Sequence, residues 1–231
     1  LPLKHFQPSR ESAVKSILPL LFTLIALLIP ENFQAQENES HTPSNGQVLV
    51  FTHTLGFRHA SIEKGVATLR ELAEEEGIQI THTEDSLAFN PSNLAKYEVV
   101  VFLSTTGDVL GPAQEKAFQS YIQNGGSFMG IHAATDTEYG WPWYGGLVGA
   151  YFESHPDQQE ARLQVTDRNH PATAGLEESW NHFDEWYNFK NIQTGLNVLL
   201  MLDESSYTGG TNGSYHPIAW YREYDGGRTF Y

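Results

Sequence analysis

The sequence holds 10 histidines and 28 acidic residues but no cysteine. Thiolate nucleophiles, disulfides, Cys-ligated zinc and iron–sulfur clusters are thereby excluded, and any chemistry must come from imidazole, carboxylate, hydroxyl or a bound cofactor. The segment Gly125-Gly126-Ser127-Phe128-Met129-Gly130-Ile131-His132-Ala133-Ala134 ends a buried-strand pattern on a polar residue followed by small ones. A reactive side chain held at the top of a sheet needs that arrangement, because the small residues let backbone N–H groups face the substrate. A histidine there suits proton transfer or metal ligation better than acyl transfer. Its plain structural alternative is a strand end closed by a hydrogen bond.

His59, Asp136, His155, the Asp184-Glu185 pair and His216 are the positions that could join His132. Histidines with a carboxylate can bind a divalent ion such as zinc and leave a position open for water. No spacing here is a recognised ligand motif, so the bland readings stand beside the chemical ones. His59 precedes a helix and can be a loop contact; His155 before Pro156 can be a turn residue, and His216 before Pro217 can start a strand. Tyr139, Trp141, Trp143, Tyr144, Trp180, Trp186, Tyr187 and Trp220 either pack the core or stack on sugar rings, whose hydroxyls carboxylates bind. Thr105-Thr106-Gly107 is similar to a phosphate-holding loop but lacks the Gly-x-x-x-x-Gly-Lys pattern.

Charge narrows the partners. With 13 Lys and Arg the formal net charge is −15, a field that repels phosphate backbones and anionic lipid. Nucleic acid and membrane surfaces are disfavoured; neutral or cationic ligands and metals are favoured.

The elements that must carry these residues alternate. Gln47 to Thr52 (QVLVFT), Val99 to Leu103 (VVVFL) and Ser127 to Ile131 (SFMGI) read as buried strands, and Ile78 to Thr83 as a further, alternating one. Ser61 to Glu76 and Pro112 to Asn124 read as helices, the first capped by Ser61 and stopped by Gly77, the second closed by Gly125-Gly126. Strands alternating with helices imply parallel crossovers and a doubly wound, mostly parallel α/β sheet, whose ligand site lies beyond the C-terminal strand ends. There the loops at His53 to His59, Ser104 to Asp108 and His132 to Asp136 should converge. After an aromatic, Gly-rich stretch come shorter strand-like pieces at Ala161 to Val165, Glu185 to Phe189, Val198 to Leu202 and Pro217 to Tyr221. Arg228 to Tyr231 reads as a strand cut short.

Ahead of the fold, Ile17 to Ile29 (ILPLLFTLIALLI) follows Lys4, Arg10 and Lys15 and is closed by Pro30. This run is too short to span a bilayer, which takes about 20 apolar residues, and reads as the core of a secretory signal cut near Ala35. An uncleaved N-terminal anchor is the alternative. The expected organisation is a signal segment at 1–35, a polar linker at 36–46 and one domain at 47–231, exported to the periplasm or outside the cell.

Six segments carry a family resemblance. Gly56-Phe57-Arg58-His59-Ala60-Ser61-Ile62, Thr105-Thr106-Gly107-Asp108-Val109-Leu110, Gly130 to Tyr139 (GIHAATDTEY), Trp141-Pro142-Trp143-Tyr144, Asp184 to Phe189 (DEWYNF) and His216-Pro217-Ile218-Ala219-Trp220 resemble the trehalose-utilisation (ThuA-like) family in order and spacing. The resemblance implies a flavodoxin-like, class I glutamine amidotransferase-like fold, with His132 where that superfamily's amidotransferases carry cysteine. It further implies work on trehalose, related disaccharides or keto-glycosides, as a hydrolase or lyase, beside a fused or neighbouring sugar dehydrogenase or cytochrome module. Under this reading His132 is a general base or ligand oriented by Asp136, and Glu185 is a second acid or base. His59 and His216 are metal ligands or proton carriers, and Tyr139, Trp143, Thr105 and Trp186 contact the sugar. A carbohydrate-binding or scaffolding module without catalysis is the alternative, and a glutaminase is disfavoured for want of cysteine. Family members usually continue past Gly226-Gly227-Arg228, which implies an incomplete C-terminal end.

Overall fold

The computed structural model describes residues 46–231. The expected signal segment, and the expected linker apart from Gly46, lie outside the described residues. Eleven strands and four α-helices are described. They run β1 (Gln47–Phe51), α1 (Ile62–Glu76), β2 (Gln79–Thr83), α2 (Pro91–Leu94), β3 (Val99–Leu103), α3 (Pro112–Gln123), β4 (Ser127–Ile131) and α4 (Pro142–Val148). Then follow β5 (Tyr151–Ser154), β6 (Gln159–Val165), β7 (Ser179–Asp184), β8 (Asn188–Lys190), β9 (Asn197–Asp203), β10 (Pro217–Tyr224) and β11 (Gly227–Phe230).

Nine strands form one sheet in the order β2-β1-β3-β4-β11-β10-β9-β6-β7, while β5 and β8 pair separately. The five strands from β2 to β11 are parallel. From β11 through β10, β9, β6 and β7 every pairing is antiparallel. The α/β class and the doubly wound parallel core are therefore as the sequence implies, with an antiparallel wing added to one side.

The apolar runs explain the two-sided core. Successive strand residues point to opposite faces, so a strand covered by helices on both sides must be apolar throughout. On one face Leu49, Phe51, Val100, Phe102 and Phe128 pack with Phe118 and Ile122 of α3 and Tyr144 and Leu147 of α4. On the other, Val48, Val50, Val99, Val101 and Met129 pack with Ile62, Val66 and Leu69 of α1. Phe102 lies at the centre of the first cluster, with the rings of Phe51, Phe89, Phe118, Phe128 and Tyr144 all within 5.7 Å of its own.

Two local readings change. Ser61 is already helical (φ −76°, ψ −12°) and makes no side-chain cap, because an N-cap oxygen reaches the following N–H groups only from extended backbone. The first turn instead begins at His59, whose carbonyl accepts the Ile62 N–H at 3.3 Å. Gly77 ends α1 as expected, in the left-handed region at φ 72°. The strand expected at Glu185 to Phe189 splits: β7 ends at Asp184 and β8 starts only at Asn188.

Candidate functional site

The loops that follow β1, β3 and β4 are laced together above the parallel strands. Thr106 accepts the Leu55 N–H at its carbonyl and the Gly56 N–H at its hydroxyl, and that hydroxyl donates to the Phe57 carbonyl at 3.0 Å. Gly107 donates its N–H to the Asp136 carbonyl and accepts from Glu138 N–H. Gly107 sits at φ +85°, and a Cβ there would lie 3.1 Å from that of Leu55, so the position needs glycine twice over. The hydroxyls of Thr105 and Thr137 meet at 2.9 Å in the buried floor between the two loops. These bonds fix the histidine of the first loop relative to that of the third.

His132 directly follows β4, in the left-handed region at φ +53°. That conformation costs an L-residue about 1–2 kcal/mol, and it is held here by surrounding bonds. The fully buried Ala133 and Ala134 follow it in a tight 3₁₀ turn, and the Tyr231 hydroxyl donates to the His132 carbonyl at 2.8 Å. The imidazole projects into a cleft of about 700 Å³ that is also lined by Phe57, His59, Ser61, Lys64, Ser104 and Glu185. A smaller cavity of about 290 Å³ shares His132, Asp184 and Glu185 and is floored by Trp186, Ala219 and Tyr231.

Glu185 reaches this place from the antiparallel wing. It directly follows β7, its N–H held by the Asp184 carboxylate at 2.8 Å. The two residues after it are buried anchors. Trp186 packs on Ala161, Leu163 and Leu202 and donates its indole N–H to the Gln159 carbonyl. Tyr187 packs against Phe189, Trp220 and Ala133. Held between β7 and these rings, the Glu185 carboxylate lies 3.3 Å from His132 Nε2 and 3.7 Å from His59 Nε2, with its other oxygen 3.7 Å from His155 Nε2. His59 and His132 meet edge to face at 4.6 Å, and Tyr187 stacks on His132 at 4.3 Å. The Tyr187 hydroxyl is 3.2 Å from His59 Nε2. His59 Nδ1 is buried without a partner, so Nε2 is the atom through which this ring acts.

Burial, reinforced by His59, holds the His132 pKa below its ordinary value against the opposing pull of Glu185 and Asp184. Its imidazole is therefore neutral at pH 7. Burial also pushes the Tyr187 hydroxyl far up, so it remains a proton donor.

Of the positions singled out in the sequence, His59, His132 and Glu185 come together, with ligand atoms all within 4.8 Å of one another, and His155 stands beside them. His216 is placed elsewhere. It is wholly buried, with Nδ1 2.8 Å from Glu204 and Nε2 donating to the Tyr187 carbonyl at 2.8 Å, so both ring nitrogens are engaged in holding the chain behind the site. Asp136 accepts from the Tyr139 hydroxyl at 2.7 Å and makes no hydrogen bond to His132 among the described residues; Glu185 is the carboxylate that faces His132. The same Tyr139 O–H is shared with the Phe152 carbonyl, 2.9 Å away, and the ring lies under Lys190. Trp143 stacks on Trp141 and donates to Asp225, and neither it nor Thr105 lines either cavity. Trp186 reaches the smaller cavity from its packed position. Tyr187, which the sequence leaves open between core packing and sugar stacking, packs in the core, stacks on His132 and lines the smaller cavity. Tyr231 carries no local signal, since it meets His132 from the end of the neighbouring strand β11, 99 residues further along the chain.

The ThuA family model, described as trehalose utilisation, matches residues 47–231. The chain belongs to the ThuA family. A ThuA-like protein of Bacteroides uniformis matches it with a TM-score of 0.69 at 24% identity, over 84% of this chain and 83% of that one. A ThuA-like protein of Parabacteroides merdae matches with a TM-score of 0.67 at 21% identity, over 80% and 77%. Both likenesses concern the fold alone. No curated protein matches the sequence.

Proposed function

We propose that this ThuA domain acts on a sugar, of the oxidised (keto) glycoside class, by proton transfer through His132. The observation that carries the reading is the meeting of a neutral, strained His132 with Glu185 and His59 in an open cleft. A ketone on a sugar ring acidifies the neighbouring C–H, so a neutral imidazole can take that proton. The imidazolium formed can then pass it to the departing glycosidic oxygen as the C–O bond breaks. Glu185 stabilises the imidazolium, and Tyr187 fixes the ring plane by stacking. The acidic net charge, the exposed Phe57 at the cleft wall and the trehalose-utilisation description of the family support a neutral carbohydrate ligand. The run at Ile17 to Ile29 supports export, and a neighbouring sugar dehydrogenase is the class of partner that would supply a keto sugar.

The donor set also fits a divalent ion of the zinc class, since two imidazole nitrogens and one carboxylate leave a position open. His59, His132 and Glu185 would hold it, and when bound it would polarise a carbonyl or lower the pKa of a water to about 7. The test is turnover and thermal shift of the wild-type chain with disaccharides and their 3-keto forms, with metal content measured in parallel. Cleavage of a keto-glycoside that disappears in His132→Ala supports the proposal. A thermal shift with unmodified sugars that survives His132→Ala, without any turnover, would instead make the domain a binding module.

A further inference from the structure

A second group of chemically able side chains lies apart from the histidines, where the β3–α3 loop, the first turn of α3 and the β4–α4 loop meet. Asp108, Glu115 and Glu138 each bring a carboxylate oxygen within 4.8 Å of the other two. Glu138 has no solvent exposure at all. One of its oxygens accepts the Leu110 N–H at 2.7 Å, while the other, Oε2, is buried without any hydrogen-bond partner. The ion pairs among the described residues include none of these three carboxylates.

An orphaned, buried carboxylate oxygen beside two further carboxylates is costly unless a positive charge joins them. Two occupants can supply it. A proton would satisfy Glu138, which burial and the side-chain hydrogen bond that a shared proton makes with Asp108 push up to about 8, and would engage Asp108 too, yet it leaves Glu115, itself raised by burial and Asp108, uncompensated. A divalent cation answers all three at once. We propose that Asp108, Glu115 and Glu138 form a binding site for a hard divalent cation of the calcium or magnesium class. All three donors are oxygens, the ligand type these ions select, and they come from carboxylates on separate segments. Asp108 is exposed and Glu115 partly so, which gives the ion an entry and leaves room for the waters it keeps. The orphaned Oε2 supplies the inner wall. Such an ion clamps the start of α3 to the loop that carries His132 to Asp136, because Glu138 N–H already donates to the Gly107 carbonyl. The proposal is independent of the reading of the histidine cluster.

Calcium and magnesium, in separate runs, are titrated into the chelator-stripped chain at pH 7.5, with binding heat and melting midpoint recorded. One ion per chain is expected, with the midpoint rising by roughly 5–10 °C at a hundredfold excess over Kd. The response should vanish in Glu115→Gln and Asp108→Asn, which change partly exposed residues and leave the core intact, and persist in His59→Ala and His132→Ala. No heat and no shift with either ion overturns the proposal and leaves a shared proton as the occupant. Binding undiminished in both Glu115→Gln and Asp108→Asn overturns it as well.

Discussion

The Tyr231 hydroxyl donates to the His132 carbonyl at 2.8 Å, across 99 residues of sequence, and stacks its ring on Trp220 at 4.4 Å. A strained turn is thus held by a residue distant in sequence that directly follows β11, the strand paired with β4. Tyr231→Phe keeps the stacking and removes only the donor. It should cost about 1 kcal/mol, the usual net worth of one hydrogen bond, because the Thr135 hydroxyl still donates to the His132 carbonyl at 3.3 Å; the loss is read as a lower urea midpoint with an unchanged m-value. Near-normal stability would mean that the turn holds itself.

The left-handed backbone at His132 predicts opposite effects on stability and chemistry. His132→Gly relieves the steric cost of φ +53° and should stabilise the fold by about 1 kcal/mol, less the lost ring packing on Tyr187. Turnover should fall by roughly 10²–10⁴, the range for a missing general base. Equilibrium unfolding alongside kinetics on the same variant checks both.

His216 and the pair His59 and His132 should separate cleanly. His216→Ala removes a buried group from both Glu204 and the Tyr187 carbonyl, and should destabilise the chain by about 3 kcal/mol. Any zinc-class ion bound by the folded fraction should remain. His59→Ala should do the reverse, losing the ion at small cost in melting temperature; elemental analysis of both folded variants decides.

Acid sensitivity has a specific source in His82 on β2. Its Nε2 lies 2.7 Å from the Thr52 hydroxyl, and burial followed by Arg70 and Arg58 lowers its pKa, against the pull of Glu84 and Glu63. A histidine harder to protonate folded than unfolded contributes nothing above the unfolded value, near 6.5, and costs stability as pH falls below it. The drop in melting temperature between pH 7.5 and 5.5 should therefore be smaller in His82→Gln than in the wild type. An equal drop would place the acid sensitivity in other groups.

Much of this is legible in the sequence. Strands buried on both faces announce themselves as unbroken apolar runs, so β3 and β4 are read to the residue, and the rule that ligands sit beyond strand ends picks out His59 and His132. The wing was harder. Its strand β6 is exposed on one side, and β7 is exposed almost throughout with only weak alternation, so the pattern gives no strand there and places Glu185 in one that starts three residues later. Aromatic and histidine side chains carry no mark of whether they face a cleft or a core. Trp143 and His216 prove to be packed and bonded, while Tyr187, also packed, lines the smaller cavity and stacks on His132.

The split sheet has a consequence for how the site comes into being. His59 and His132 ride on strands formed from the first half of the described chain, whereas Glu185 arrives from an edge strand that is joined to them only through β11, β10, β9 and β6. Contacts so distant along the chain are slow to close, because the entropy of the intervening loop must be lost first. A refolding chain should therefore regain its parallel-core signal before any property that needs imidazole and carboxylate together. Competence at this cleft is a late event in the life of each molecule, and the wing is where it is gained.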